Sequence, residues 1–239
     1  MNDDGETAGA RSHAHPGLFL ALDGPDGGGK TTQAARLAGW LSGCGLDVVT
    51  CRDPGGTALG ERVRNILLAR DSVAISLRAE MLLYMASRAQ LVEEVIAPAL
   101  ASGRVVVSDR YLLANIVYQG SAGGLLEEEI AFVGMVATGG LLPDLTLVMD
   151  VAPHVAAARI GASRDRIEDR PLFYHERVRA GYLAAARGQA DADPSTDVPA
   201  PCPFYPAPIV LIDSSDDPDT VFAQIQTEVE RVLALRSRA

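Results

Sequence analysis

The run Gly24-Pro25-Asp26-Gly27-Gly28-Gly29-Lys30-Thr31 has the spacing G-x-x-x-x-G-K-T and lies between an apolar stretch, Leu18-Phe19-Leu20-Ala21-Leu22, and a helical pattern. At such a strand-to-helix turn, glycines let backbone N–H groups curl around a phosphate, and the helix N-terminus adds partial positive charge. Lys30 is placed to reach the outer phosphates of a nucleoside triphosphate such as ATP, and the Thr31 hydroxyl to hold Mg²⁺. Lys30 is also the only lysine in the chain, so every other fixed positive charge is an arginine. Asp26 has no reason to be there for a triphosphate alone, which a carboxylate repels; it needs a second job.

Other residues carry chemistry at informative spacings. Tyr84 and Arg88 are i and i+4 in a helical pattern, so a ring and a guanidinium face the same way, suited to stack on a base and hydrogen-bond its carbonyl. Asp109 ends the apolar strand pattern Arg104–Ser108 and is suited to hold Mg²⁺ or its waters. Asn115 and Tyr118, three apart, share a helical face. Between Ala162 and Arg170 the chain turns polar, with Arg164, Arg166 and Arg170 alternating with Asp165, Glu168 and Asp169. That run reads either as a cluster of cations for an anionic ligand or as a solvated ion-pair segment.

These residues need a frame to bring them together. Strand patterns fall at Leu18–Leu22, Asp47–Cys51, Arg104–Ser108, Leu145–Met149 and Ile209–Ile212, with helical patterns between them and no hairpin signal. The longest helix runs from about Ser76 to Ala101, with Leu77, Met81, Tyr84, Arg88, Leu91 and Val95 on one face. An arginine on a buried stripe needs a partner. The last helix opens with Asp217-Pro218, a capping residue followed by proline at the first helical position. Alternating strands and helices imply an α/β chain with a parallel sheet of about five strands and helices on both faces, a three-layer sandwich of the P-loop NTPase type. In such sheets ligands gather at the carboxyl ends of strands, where the phosphate loop, Asp53, Asp109 and Asp150 all fall. One domain is expected over 17–239, after a disordered tail over 1–16. The Pro-rich segment 190–208 is expected as a surface loop.

The totals narrow the functional classes. With 239 residues, 48% apolar and 22% charged, the chain has the composition of an ordinary globular protein. A net charge of −10 argues against nonspecific binding to nucleic acid or an anionic membrane, so anionic ligands must be met by local arginines. No apolar run approaches a membrane span, and Cys44, Cys51 and Cys202 lack metal-ligand spacing, which suits free thiols in a cytoplasmic protein.

Taken in order, the phosphate loop, Arg52-Asp53-Pro54-Gly55-Gly56-Thr57, the segment Tyr84 to Gln90, Asp109-Arg110-Tyr111 followed by Tyr118-Gln119-Gly120, and Asp165-Arg166-Ile167-Glu168 resemble the thymidylate kinases, enzymes that phosphorylate dTMP to dTDP with ATP. The resemblance runs from about Leu18 to the final helix, and it is to the bacterial subtype that carries its arginines on a lid, here about 162–171. It implies that Lys30, Asp26, Asp109 and Arg166 are catalytic, and that the phosphate loop and Arg164 bind ATP. Thr31 and Asp109 would hold Mg²⁺. Pro54, Tyr84, Arg88, Arg110, Asn115, Tyr118 and Gln119 would bind dTMP, with Arg110 on its phosphate and Tyr118 crowding a ribose 2′-hydroxyl. It further implies a homodimer formed through helices. Ala114, where relatives usually carry serine, is the best support for a rival reading as a kinase of another acceptor. A conformational ATP-binding module is the other rival. A guanine-specific switch is disfavoured because no lysine remains for an Asn-Lys-x-Asp motif.

Overall fold

The computed structural model describes residues 15–70, 73–161, 165–190 and 204–237. Five strands, β1 (Leu18–Asp23), β2 (Val48–Arg52), β3 (Val105–Asp109), β4 (Leu145–Asp150) and β5 (Ile209–Asp213), form one sheet in the order β2-β3-β1-β4-β5. Every neighbouring pair is parallel, with Leu22 opposite Asp109 and Arg52 opposite Asp109 at the carboxyl ends. All six residues of β1 are buried, as expected of a central strand covered on both faces.

Alternation along the strands divides the core into two layers. Phe19, Ala21, Val106 and Val148 point to one face and pack with residues of α3 (Leu77–Leu91), α4 (Ala97–Ala101), α6 (Glu127–Thr138) and α8 (Leu172–Ala190). Leu20, Leu22, Val107, Leu147 and Met149 point to the other, against α1 (Lys30–Gly43) and α9 (Pro218–Arg236) through Leu37, Leu41, Val221, Ile225 and Val229. This is the expected α/β sandwich.

Local chemistry sets the helix ends. Thr57 caps α2 (Ala58–Leu68) by accepting from Gly60 N–H at 2.9 Å, and Asp217 caps α9 by accepting from Asp219 and Thr220 at 2.9 and 3.2 Å. The helix expected over 76–101 is continuous in direction but not in hydrogen bonding: a π-helical turn, Val92–Ile96, separates α3 from α4. Pro98 has no N–H to give to the carbonyl four residues back, and the wider turn absorbs the missing bond. A second π turn, Ile116–Ser121, follows the short helix α5 (Leu112–Asn115) and carries Tyr118 and Gln119. The remaining helix, α7 (Pro153–Ile160), follows β4.

Two expectations are corrected. His15 and Pro16 do not belong to a free tail, since the Arg236 guanidinium donates to the carbonyls of His15, Pro16 and Gly17. The end of the Pro-rich segment is not a surface loop either: Tyr205 is fully buried, its hydroxyl 2.7 Å from that of Thr146. The rest of the expected tail (1–14), residues 162–164 with Arg164, and 191–203 with Cys202 lie outside the described residues. No helix among the described residues is long and apolar enough to cross a membrane.

Candidate active site

The phosphate loop joins β1 to α1, and its glycines are there for positive φ and, at Gly24 and Gly27, for close approach. Gly24, Gly27 and Gly29 have φ of 127°, 75° and 84°. A Cβ on Gly24 would meet the Met149 carbonyl at 2.6 Å, and one on Gly27 the Ala156 carbonyl at 2.5 Å. Lys30 opens α1 and is buried, its Nζ donating to the Pro25 carbonyl at 2.6 Å. Burial and the nearby Arg110 guanidinium pull the Lys30 ammonium down to about 8, against the opposing pull of Asp26, Asp109 and Asp23. Thr31 Oγ1 donates to Asp109 Oδ2 at 2.5 Å, which brings the two expected metal ligands together across β1 and β3.

Arg110 follows β3 and is the non-glycine residue with positive φ, 72°, among the described residues. That backbone costs on the order of 1–3 kcal/mol and marks a residue whose direction matters. Its Nη1 donates to the Gly24 carbonyl at 2.9 Å, its Nη2 pairs with Asp26, and its Cζ lies 5.1 Å from the centroid of the Tyr118 ring. Tyr118 Oη donates to the other oxygen of Asp26 at 2.9 Å. The second job of Asp26 is therefore to hold Arg110 and Tyr118. Burial pushes its carboxyl up, but Arg110 and Lys30 outweigh that and keep it below the ordinary range. Behind it, fully buried Asp23 accepts from Tyr182 Oη at 2.6 Å and Gly24 N–H at 3.1 Å.

A cavity of about 620 Å³ runs along the carboxyl rim. On the β2/β3 side of the phosphate loop it is lined by Pro54, Tyr84, Arg88, Ala114, Asn115 and Gln119; on the β4/β5 side by Arg159, Ser214, Asp216 and Val221. Arg88 has the partner its position on a buried stripe demands: Nε donates to Asp53 Oδ2 at 2.5 Å, and Nη2 to the Tyr111 carbonyl at 3.2 Å. Asp150 is on the rim but not in the cavity wall, being held by Arg179 at 2.7 and 2.8 Å.

Arg166 and Arg170 of the polar segment are not loose. Arg166 Nε donates to the Leu67 carbonyl at 2.8 Å, and its Nη2 lies 2.7 Å from Glu80 Oε2. Arg170 Nη2 donates to both oxygens of Glu80, at 3.0 and 2.7 Å. Asp165, Ile167 and Glu168 line the cavity, while the Arg166 side chain is turned to α2 and α3.

Residues 22–192 match the family model for thymidylate kinase. The chain belongs to the thymidylate kinase family. It is 49% identical over 174 residues to the thymidylate kinase of Leifsonia xyli, covering 72% of this chain and 82% of that protein. It is 39% identical to that of Caldanaerobacter subterraneus over 218 residues, covering 91% and 97%. A crystal structure of thymidylate kinase from Ehrlichia chaffeensis superposes with a TM-score of 0.67 at 26% identity, over 89% of this chain and 98% of that one.

Several residues of this thymidylate kinase were not legible as site residues from the sequence. Asp23 and Tyr182 brace Arg110 from within the core, Arg64 donates to the Pro54 carbonyl at 3.0 Å, and Arg159 donates to the Ser214 and Ser215 carbonyls at 2.8 and 3.2 Å. Glu80 carried a usable signal: it stands one turn before Tyr84, on the same helical stripe.

Proposed function

We propose that this thymidylate kinase moves the γ-phosphoryl group of ATP directly to the 5′-phosphate of dTMP, with no covalent enzyme intermediate. The observation that carries the reading is that one cavity joins the phosphate loop to the Tyr84/Arg88/Asn115 wall, with Arg110 fixed between them. Lys30 and the loop amides hold the triphosphate, and Arg110, pre-aimed by Asp26 and Gly24, takes the acceptor phosphate with its planar fork. The Thr31 hydroxyl and Asp109 carboxylate are hard oxygen ligands 2.5 Å apart. Among the described residues there is no larger cluster of His, Cys, Asp or Glu, and this sparse set fits Mg²⁺, which keeps its waters and takes phosphate oxygens. When bound, such an ion would be held by Thr31 and Asp109 and would supply positive charge that offsets the triphosphate. Arg166, leaving Glu80, stabilises the charge that develops between donor and acceptor, as in the subtype that carries its arginines on the lid.

The sheet order divides the nucleosides. Thymine lies on the β2/β3 side, against Tyr84 and beside Arg88, and Tyr118 excludes a 2′-hydroxyl. The adenosine lies on the β4/β5 side, beside Arg159 and the turn after β5. Asn115 Oδ1 is buried and has no hydrogen-bond partner among the described residues, which suits it to accept from the N3–H of thymine. A coupled assay for ADP with dTMP, dUMP, dCMP and no acceptor tests the reading: turnover is expected with dTMP, and ADP release indifferent to the acceptor refutes it.

The reading extends to a cytoplasmic homodimer. Cys44 and Cys51 are free thiols. Large apolar side chains stay exposed on α2, α3 and α6, namely Ile66, Leu82, Phe132 and Val136, and a second copy of the chain covers them. Sedimentation of Phe132→Asp is expected to give a monomer; an unchanged dimer refutes this face.

A further inference from the structure

Glu80 is fully buried in the first turn of α3. Its oxygens accept from Arg170 Nη2 at 3.0 and 2.7 Å, Oε2 is ion-paired with Arg166 Nη2 at 2.7 Å, and Oε1 also accepts from Gln119 Nε2 at 2.8 Å. A carboxylate engaged by two guanidiniums has only acceptors to offer. The Gln119 amide must therefore turn its nitrogen to Glu80, which leaves its Oε1 to accept from Asn115 Nδ2 at 2.8 Å. Asn115 in turn has its nitrogen spent and its Oδ1 buried without a hydrogen-bond partner among the described residues, and the residue itself lines the cavity.

We infer that Glu80, which touches no substrate, is a specificity-determining residue: through Gln119 it fixes the polarity of the Asn115 amide, so that the pocket presents an acceptor to the pyrimidine N3 position. Thymine carries a donor, N3–H, at that position, and cytosine carries an acceptor. The chain Glu80–Gln119–Asn115 therefore favours dTMP over dCMP. Replacing Glu80 by glutamine reverses the logic. The single carbonyl of a glutamine is claimed by the guanidiniums, its NH₂ is left to face Gln119, and both amides beyond it flip to place Asn115 Nδ2 where Oδ1 stood. The inference rests on the reading above that Asn115 meets the base.

The test compares kcat/KM and calorimetric Kd for dTMP and dCMP, with Mg-ATP in excess for the rates. The proteins are the wild type, Glu80→Gln, Glu80→Asp, Gln119→Met and Asn115→Ala. In Glu80→Gln the dTMP:dCMP ratio is expected to fall about tenfold or more, the scale of one exchanged hydrogen bond at a buried amide, and to fall through KM and Kd. Loosening of Arg166 lowers kcat for both acceptors and cancels in the ratio. Glu80→Asp, still acceptor-only, keeps the ratio. An unchanged ratio in a natively folded Glu80→Gln overturns the inference. If that variant does not fold, Gln119→Met decides, since it cuts the relay without stranding a charge: a lower ratio supports the inference and an unchanged one overturns it. If Asn115→Ala leaves the Kd of dTMP unchanged, the placement of the base fails; if it weakens dTMP while the ratio in Glu80→Gln holds, only the relay fails.

Discussion

The depressed ammonium of Lys30 makes ATP binding a proton-uptake reaction above neutral pH. In the free protein burial and Arg110 bring this group from 10.5 to about 8, a shift of roughly 3 kcal/mol against the charged form. A triphosphate laid on the loop favours the ammonium and restores it toward its ordinary value. At pH 9 Lys30 of the free protein is then about one-tenth protonated and Lys30 of the complex almost wholly so, which requires uptake of about 0.9 proton per ATP bound. Between pH 8 and 10 the affinity for Mg-ATP falls by about tenfold per pH unit. Stability runs the other way. The folded value lies below the unfolded one, so the unfolded chain binds more protons between pH 8 and 10.5, and this group's contribution to stability rises with pH across that window. The assay is isothermal titration of ATP at pH 9 in buffers of different ionisation enthalpy, with Lys30→Arg as control because a guanidinium stays charged throughout. Absence of uptake in the wild type, or equal uptake in Lys30→Arg, refutes the assignment.

Asp53→Asn removes the anion from a pair whose side chains are 0% and 1% exposed, stranding the Arg88 guanidinium; urea unfolding is expected to show a loss of about 3–5 kcal/mol. Gly27→Ala puts a Cβ 2.5 Å from the Ala156 carbonyl at a φ of +75°, which costs on the order of 1–3 kcal/mol of strain in the loop. ATP titration is expected to show affinity lost by about tenfold or more, since each 1.4 kcal/mol is a decade. Arg166→Ala is expected to lower kcat by roughly 10³, with KM for both nucleotides little changed, as for an arginine that acts on the charge of the transferring group. A rise in KM alone, with kcat intact, would assign Arg166 to binding.

The parts of the site legible in the sequence are those fixed by local periodicity. The phosphate loop and Asp109 follow strands whose apolar runs leave no choice of position, and Tyr84 and Arg88 share a face by helical geometry. The need of Arg88 for a counter-charge was readable too, although its partner, Asp53, is 35 residues away and met only through the β2–α2 turn. What the sequence did not disclose depends on contacts between distant elements. Arg166 and Arg170 read as cations beside acids of their own segment, yet they turn to Glu80 on α3, some 90 residues earlier in the case of Arg170. Tyr205 sits in a stretch rich in proline and aspartate and nevertheless fills a core position, because β4 offers its hydroxyl a partner in Thr146. The π turns were hidden because a side-chain stripe tolerates one extra residue per turn over a short span.

The order of strands has a consequence for inheritance. With β1 in the middle, the walls proposed for the two nucleosides are encoded by separate stretches of chain, 52–119 for one and 159–221 for the other. A lineage, or a randomised library, that varies only the first stretch can change which monophosphate is accepted while the grip on adenosine is passed on untouched.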